Sequence, residues 1–237
     1  MSNELSVLLI AAASLGFFHT LFGPDHYLPF IVMSRARNWS LRKTSLITIL
    51  CGIGHVLSSV LLGFVGIAFG IAVTKLEFLE SFRGNLAAWA LIAFGLVYFI
   101  WGVRRAVKNK PHRHVHLHDG EIMHDHLHVH TDEHLHVHEK KSRKNLTPWV
   151  LFTIFVLGPC EPLIPLLMYP AAKNNLYGLA LVTGIFGAVT ILTMLSVVLL
   201  VSSGINFIPT KKLERYVHAI AGATIFLCGI SIQFLGL

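Results

Sequence analysis

Six long apolar segments limit how this chain can fold, because each is close to the length that crosses a bilayer. A transmembrane helix needs about 20 mainly apolar residues. Only 13% of the 237 residues are charged, compared with about 25% in soluble domains. The sequence therefore predicts an all-α integral membrane protein whose partner is the lipid bilayer. The segments cover residues 5–33, 44–73, 86–103, 149–171, 177–203 and 217–237.

Basic residues cluster between alternate segments, and this distribution predicts the topology. The clusters lie at residues 35–43, 104–108, 140–144 and 211–215, whereas the connections at 75–83 and 173–176 are nearly neutral. Loops rich in Lys and Arg stay in the cytoplasm. We therefore predict six spans in a prokaryotic cytoplasmic membrane, with both termini outside. Although the formal net charge is +7, its juxtamembrane placement argues against a nucleic-acid partner.

The two halves of the chain contain matching short sequences. Residues 23–26 read Gly-Pro-Asp-His, and residues 158–161, at the corresponding place in the second half, read Gly-Pro-Cys-Glu. Three spans per half is an odd number, so the repeats would be inverted, with a site where they meet. Since proline cannot continue a helical hydrogen-bond ladder, we expect helices 1 and 4 to be broken. The predicted domains are residues 1–110, a His-rich cytoplasmic loop at 111–145, and residues 146–237.

Ionisable residues inside the spans indicate a bound cation. Each costs about 2.5–3.5 kcal/mol on insertion scales, so it needs a partner. His19 and His26 would be about 10 Å apart on a continuous helix, but the Gly-Pro break would bring them together. Imidazole nitrogen favours nickel, cobalt, copper or zinc over magnesium or calcium. The predicted metal ligands and gating residues are His19, Asp25, His26, His55, Cys160, Glu161 and Thr190.

Several of these residues also have a simpler structural explanation. His55 is equally consistent with a buried histidine bonded to a carbonyl group, with Ser58 and Ser59 orienting its ring. Cys160 is equally consistent with a small packed apolar residue. Glu161 is consistent with one half of a structural hydrogen-bonded pair. Asp25 and His26, adjacent at the Gly-Pro break, are the strongest candidates for a functional site.

Eleven of the fifteen histidines lie in the loop between the third and fourth segments. Low-complexity His tracts bind metals, and we expect this one to be flexible and to collect or buffer metal ions. A pH-responsive polycation and a solvated linker are the alternatives. The histidines are His112, His114, His116, His118, His124, His126, His128, His130, His134, His136 and His138.

Three of these features together resemble the nickel and cobalt transporter superfamily, which includes urease-accessory-type membrane proteins. They are residues 19–26 (His-Thr-Leu-Phe-Gly-Pro-Asp-His), residues 52–55 (Gly-Ile-Gly-His) and the His-rich loop. The resemblance implies an ion pathway through His19, Asp25, His26 and His55. Ni²⁺ or Co²⁺ is the implied transported substrate, ahead of Zn²⁺ or Cu²⁺, and a cytoplasmic metallochaperone is a candidate partner.

Metal transport is the function that we predict from the sequence, and the protein is not expected to be an enzyme. A membrane thiol–disulfide carrier of the cytochrome-biogenesis type is the first alternative, since residues 158–160 read Gly-Pro-Cys. Such a carrier requires a second cysteine that faces Cys160, and at that position this chain has Asp25. An anion exporter is the second alternative, although acids stand at the predicted helix breaks. The direction of transport, the coupling ion and the oligomeric state stay open.

Overall fold

The computed structural model describes residues 3–108, 112–117, 123–128, 146–160, 162–173, 175–205 and 214–236. Eight helices and a short hairpin make up nearly all of this part of the chain. The helices are α1 (Asn3–Phe22), α2 (Leu28–Ala36), α3 (Leu41–Ala68), α4 (Val73–Lys108), α5 (Thr147–Leu157), α6 (Leu163–Ala172), α7 (Leu176–Ile205) and α8 (Val217–Leu235). The strands are β1 (His112–Leu117) and β2 (Met123–His128). Single 3₁₀ turns at Pro24–His26 and Glu214–Tyr216 precede α2 and α8.

Five helical segments of the described chain are long and apolar enough to cross a membrane. They are α1, α3, α4, α7 and α8 together with its preceding turn. The protein is therefore a multi-pass membrane protein. Helices α5 and α6 are shorter, with 11 and 10 residues. It remains a prediction that α5 and α6 together form a sixth span and that the two three-span repeats are inverted.

Both Gly-Pro pairs coincide with helix ends. Helix α1 stops at Phe22, and the amide of Gly23 closes its last turn by donating to the carbonyl of His19 at 3.1 Å. Helix α5 stops at Leu157, one residue before Gly158. Proline lacks the amide that the next helical turn needs. Each Gly-Pro pair therefore ends an α-helix inside the bundle, and at the first of them the chain continues as the 3₁₀ turn at Pro24–His26.

Close contact between α4 and α8 holds the bundle together. A Cβ atom built on Gly222 of α8 would overlap the backbone of α4 at Phe99, and one on Gly95 of α4 would overlap α8 at Phe226. Small residues of this kind let membrane helices approach closely. One apolar core surrounds Phe30 and Phe155. A second core surrounds Phe186 and includes Cys160.

The structure differs from the sequence prediction in two elements. Helix α4 begins at Val73 rather than at residue 86, so the stretch expected to form an outer loop at 75–83 is helical. The sequence predicted a loop at 75–83 because the charged residues of this stretch lower its hydropathy. In the His-rich segment, β1 and β2 pair antiparallel where a flexible tract was expected, with His112 opposite His128 and His116 opposite His124. Alternating sequence suits a strand pair, because every second residue shares a face.

Candidate functional site

Three imidazole rings meet where the first helix break faces α3. The ring centroids of His19 and His26 are 4.7 Å apart, and those of His26 and His55 are 5.0 Å apart. One nitrogen from each ring lies within 4.8 Å of the other two. Two of the side chains, His26 and His55, are only 3% exposed. The break after Phe22 brings His19 and His26 together, as the sequence predicted they could be.

His55 has both ring nitrogens directed at specific partners. Its Nδ1 lies 3.2 Å from the carbonyl oxygen of Phe155. A carbonyl only accepts, so Nδ1 carries the proton and donates to it. Nε2 is then an acceptor, and it lies 3.2 Å from the Sγ of Cys160. The thiol of Cys160 can therefore donate its proton to an imidazole whose orientation is already fixed.

His26 is held in the same way by the break that carries it. Its Nδ1 lies 3.1 Å from the carbonyl oxygen of Gly23 and 3.2 Å from Oδ1 of Asp25. Both partners accept, so Nδ1 is again the donor. The Nε2 atoms of His26 and His19 are buried and have no hydrogen-bond partner among the residues that the structure describes. An unsatisfied buried polar atom costs about 1–3 kcal/mol, so this cluster retains unused capacity to bind a ligand.

Cys160 itself lies at the second helix break and is fully buried. Its backbone amide is 3.2 Å from Oε2 of Glu80 and 3.2 Å from Oγ of Ser59. All three cysteines of the chain, Cys51, Cys160 and Cys228, are described and carry free thiols. The site therefore offers a single cysteine beside histidine, without a disulfide partner.

A buried ion pair anchors this second break. Glu80 is fully buried and forms an ion pair with Arg83 one turn later in α4. Arg83 also donates to the carbonyl of Val156 at 2.8 Å and to Oγ of Ser58 at 2.7 Å. Together, the two charged side chains connect α3, α4 and the end of α5. They fix the position of the Cys160 backbone and so determine where its thiol points.

A cavity of about 610 Å³ leads to the histidines from the side of the bundle where α8 ends. That volume is within the range of small-molecule sites. His19, Asp25 and His26 line it together with Pro159 from the second break, whereas His55 and Cys160 do not line it. A small ligand could therefore reach the first break directly and the thiol only after a movement.

Of the remaining predicted site residues, only Thr190 has a described side chain, and it does not join this cluster. Thr190 is fully buried on α7, where its hydroxyl faces Gly16 of α1 and has no hydrogen-bond partner in the described ranges. Glu161 lies outside the described residues. In the His-rich segment, six positions fall in the hairpin, but their side chains are not described. His118, His130, His134, His136 and His138 lie outside the described residues.

Sequence reasoning missed Glu80 and Arg83, because it placed them in an outer loop. Two opposite charges three residues apart within an apolar stretch were the available signal. It also assigned the wrong groups to orient His55. Ser58 donates to the backbone carbonyl of His55 and Ser59 donates to Glu80, so neither hydroxyl bonds the ring. The carbonyl of Phe155, which no sequence pattern marks, takes that role.

Comparison with known families decides among the interpretations that the sequence left open. The model of the family described as cytochrome C biogenesis protein transmembrane region matches residues 28–231. The chain belongs to this family. The match runs from the start of α2 into α8 and so includes His55, the Glu80–Arg83 pair and Cys160. Neither the curated proteins nor the solved structures gave a match.

Membership of the cytochrome c biogenesis family corrects two predictions. The resemblance to nickel and cobalt transporters is wrong, and so is metal transport as the function, with Ni²⁺ or Co²⁺ as cargo. The motifs behind it span only a few residues, and histidines at a Gly-Pro break do not distinguish one family of broken-helix proteins from another. A metallochaperone partner was expected only for metal transport. The family instead favours the first alternative, thiol–disulfide transfer.

Proposed function

We propose that this protein is a thiol–disulfide exchange component of the cytochrome-biogenesis type and that Cys160 is its working thiol. The contact between Cys160 Sγ and His55 Nε2, at a helix break in the centre of the bundle, carries the proposal. Haem is attached to c-type cytochromes through a Cys-x-x-Cys-His motif. Such cysteines must be reduced, whereas the bacterial periplasm favours disulfides. A membrane thiol near a cavity fits that requirement.

In the first step, the thiolate is formed and attacks a disulfide. His55 accepts the thiol proton at Nε2 while Nδ1 stays bonded to the Phe155 carbonyl. The sulfur of Cys160 then forms a bond to one sulfur of a disulfide R–S–S–R′, and the S–S bond of that disulfide breaks. The electron pair leaves with R′–S⁻, which takes up the proton from His55. The thiolate is the reactive form, so a positioned base speeds this step.

A second thiol completes the cycle, because the site contains only one cysteine. A thiolate R″–S⁻, supplied from outside the protein, attacks the mixed disulfide and releases R–S–S–R″. The thiol of Cys160 is regenerated after one proton returns. The net change is R–S–S–R′ + R″–SH → R–S–S–R″ + R′–SH, so the R″ sulfur is oxidised and the R′ sulfur is reduced. A second external thiol, R‴–SH, that attacks R–S–S–R″ and releases R–SH and R″–S–S–R‴ would complete the two-electron reduction of the original disulfide. Cys51 and Cys228 are not required, which separates this protein from carriers that use a cysteine pair.

Access to the thiol requires a movement at the second helix break. Cys160 is fully buried, whereas Pro159 beside it already lines the cavity. A small disulfide fits a cavity of about 610 Å³. We propose that residues 158–160 move to expose the thiol to this cavity. The two matching breaks would take part as halves of an inverted repeat, an arrangement that supports rocking between open states.

Purified protein in detergent, reacted with glutathione disulfide, tests the proposal. A variant with Cys51→Ser and Cys228→Ser keeps Cys160 as the only thiol. Intact mass should increase by one glutathionyl group, and reduced glutathione should remove it. Adding Cys160→Ser to this variant should abolish the reaction, whereas adding Asp25→Ala should leave it in place.

Two results would contradict the proposal. One is that folded protein does not react, although the same protein reacts after denaturation in sodium dodecyl sulfate. The other is that the wild-type chain reacts at Cys51 or Cys228 while Cys160 stays reduced. Either result would make Cys160 a packed core residue.

A further inference from the structure

We infer that the site also binds one transition metal ion, held by His19, His26, His55 and Cys160. This is a binding site within the membrane and does not imply that the ion is transported. It rests on the side-chain geometry and is independent of the thiol exchange proposed above. Only its regulatory consequence, described below, depends on Cys160 being the working thiol.

Three of the four proposed ligands form a compact group, and the fourth adjoins one of them. One nitrogen from each of the three histidines lies within 4.8 Å of the other two, and Cys160 Sγ lies 3.2 Å from His55 Nε2. Bonds of about 2.0 Å to nitrogen and about 2.3 Å to sulfur place tetrahedral ligand atoms roughly 3.3–3.6 Å apart. To enclose an ion, the three rings would rotate toward one another and the thiol of Cys160 would turn from His55 toward His19 and His26.

Groups outside the ligand set already hold two of the rings in the orientation that a metal requires. A metal-ligating histidine donates its other ring N–H to a carboxylate or carbonyl oxygen. His26 does so to Asp25 and Gly23, and His55 does so to the carbonyl of Phe155. Their Nε2 atoms are consequently free of protons and available as ligands. Asp25 thus supports the site as a partner of His26 instead of contacting the ion.

Two further observations favour an ion over simple packing. Within the described part of the chain, the Nε2 atoms of His19 and His26 are buried without a hydrogen-bond partner. In addition, a cavity lined by both side chains gives an ion a path to them. Packing alone would leave both polar atoms unsatisfied. A metal would satisfy both nitrogens at once, together with the thiolate and His55.

The ligand set indicates which ions would bind. Imidazole suits zinc and copper, and soft thiolate selects Cu⁺ and Zn²⁺. With Zn²⁺, the thiolate and the nearby carboxylate of Asp25 balance the charge, which lowers the cost of placing an ion in a low-dielectric interior. We therefore assign the site to Zn²⁺ or Cu⁺.

Metal binding would switch off the thiol. When the metal binds, the thiol of Cys160 gives up its proton, which is released from the protein, and its sulfur forms a bond to the metal. His55 Nε2 becomes a ligand at the same time and can no longer accept a proton. Metal occupancy therefore removes both the nucleophile and its base. Exchange through Cys160 would occur only in the metal-free protein.

Cobalt absorption provides a test that the His-rich segment does not disturb. Co²⁺ serves as a spectroscopic substitute for Zn²⁺, and a thiolate ligand gives a near-ultraviolet charge-transfer band. Residues 109–145 contain no cysteine, so the full chain can be used. We expect this band at one Co²⁺ per protein, and we expect Zn²⁺ to displace it. Cys160→Ser and His26→Gln should each lose the band, whereas Cys228→Ser and His218→Ala should keep it.

A second measurement needs no change at the site itself. Zn²⁺ at about ten times its Kd should slow alkylation of Cys160 by a small maleimide by about tenfold, because only about one tenth of the protein is then metal-free and carries an unbound thiol. This is measured in the Cys51→Ser, Cys228→Ser variant.

Absence of the charge-transfer band from wild-type protein, or its survival in folded His26→Gln protein, would overturn the metal site. Failure of glutathione exchange with the band retained would overturn only the proposed function. Glutathione exchange by a wild-type protein that shows no charge-transfer band would overturn only the metal site.

Discussion

His55 connects the two helix breaks at the scale of single residues. One ring nitrogen bonds the end of α5 through Phe155, and the other faces the thiol of Cys160. Its ring also packs against that of His26 from the first break. Because every neighbour restricts the ring, His55 has one tautomer and one orientation. The reactivity of Cys160 should therefore depend more on His55 than on any other side chain.

Replacing His55 should slow the reaction of the Cys160 thiol with a disulfide without abolishing it. We expect His55→Ala to lower the rate of exchange between Cys160 and glutathione disulfide by about 10²-fold at neutral pH, the lower end for loss of a positioned base. The rate is measured by intact mass against time. His218→Ala, a histidine that bonds Tyr98 elsewhere in the bundle, is the matched control. Equal rates for wild type and His55→Ala would show that the imidazole is only a packing neighbour.

Replacing Asp25 should lower the affinity for the metal ion without changing the reactivity of the Cys160 thiol. Asp25→Asn keeps the size of the side chain but removes the charge that holds His26 Nδ1. We expect the affinity for Co²⁺ to fall by about 10–100-fold, measured from the charge-transfer band in competition with a chelator. Glutathione exchange should be unchanged. An unaltered affinity would contradict the supporting role of Asp25.

At the scale of elements, two kinds of contact position the helices around the site. Charged side chains of α4 hold the break between α5 and α6, and small residues bring α4 and α8 together. Both contacts join parts of the chain that are far apart in sequence. The site therefore depends on the correct assembly of α3, α4, α5 and α8, and a defect in either contact should weaken the whole bundle.

The Glu80–Arg83 pair should be costly to disrupt. Arg83→Ala would leave the fully buried carboxylate of Glu80 without its ion-pair partner. Breaking a buried pair on one side costs about 3–5 kcal/mol. Unfolding in mixed micelles with increasing sodium dodecyl sulfate measures the change. The control is Lys75→Ala, which replaces an exposed residue on the same helix and should change the free energy of unfolding little. A similar loss of stability in both variants would contradict the anchoring role of the ion pair.

Glycine at the α4–α8 contact should not tolerate a side chain. A Cβ on Gly222 meets the backbone of α4, which cannot move aside as a side chain could. We expect Gly222→Ala to destabilise the protein by about 1–3 kcal/mol, the usual cost of overpacking. Gly184→Ala on α7 is the matched control, because nothing lies within 4 Å of its added Cβ. The same unfolding assay compares them, and equal stabilities would show that α4 and α8 can separate at little cost.

At the scale of the whole molecule, the number of crossings decides which compartment each site faces. Five segments of the described chain are long enough to cross alone, and α5 and α6 together would make a sixth span. Six crossings place both chain ends on one side and the His-rich segment on the other. Five crossings would separate the chain ends. The basic clusters favour the His-rich segment in the cytoplasm.

Cysteine labelling in intact cells checks this topology. In a chain whose three native cysteines are replaced by serine, we introduce Ser2→Cys, Ser142→Cys or Leu237→Cys. A membrane-impermeant maleimide should label the two terminal positions in intact cells. It should label Ser142→Cys only after permeabilisation. Labelling of one terminal position alone would indicate five crossings.

Sequence patterns identified the local features of this protein and misassigned its family. Apolar segments and Gly-Pro pairs depend on the chemistry of a few neighbouring residues, so they predicted membrane helices and the places where helices end. The same reasoning predicted that His19 and His26 could meet. It selected metal transport, however, because short His motifs carried more weight than the pattern over residues 28–231 that defines the family.

Only the tertiary structure decided what these residues touch. Cys160 and His55 are far apart in the chain, and their contact depends on how α3 packs against the second break. Glu80 looked like a loop residue, since hydropathy averages over neighbours and cannot show that Arg83 neutralises a buried charge. Local sequence determined which segments are helical and where they break, because those preferences act within a few residues. Packing over long sequence distances determined which side chains form the site.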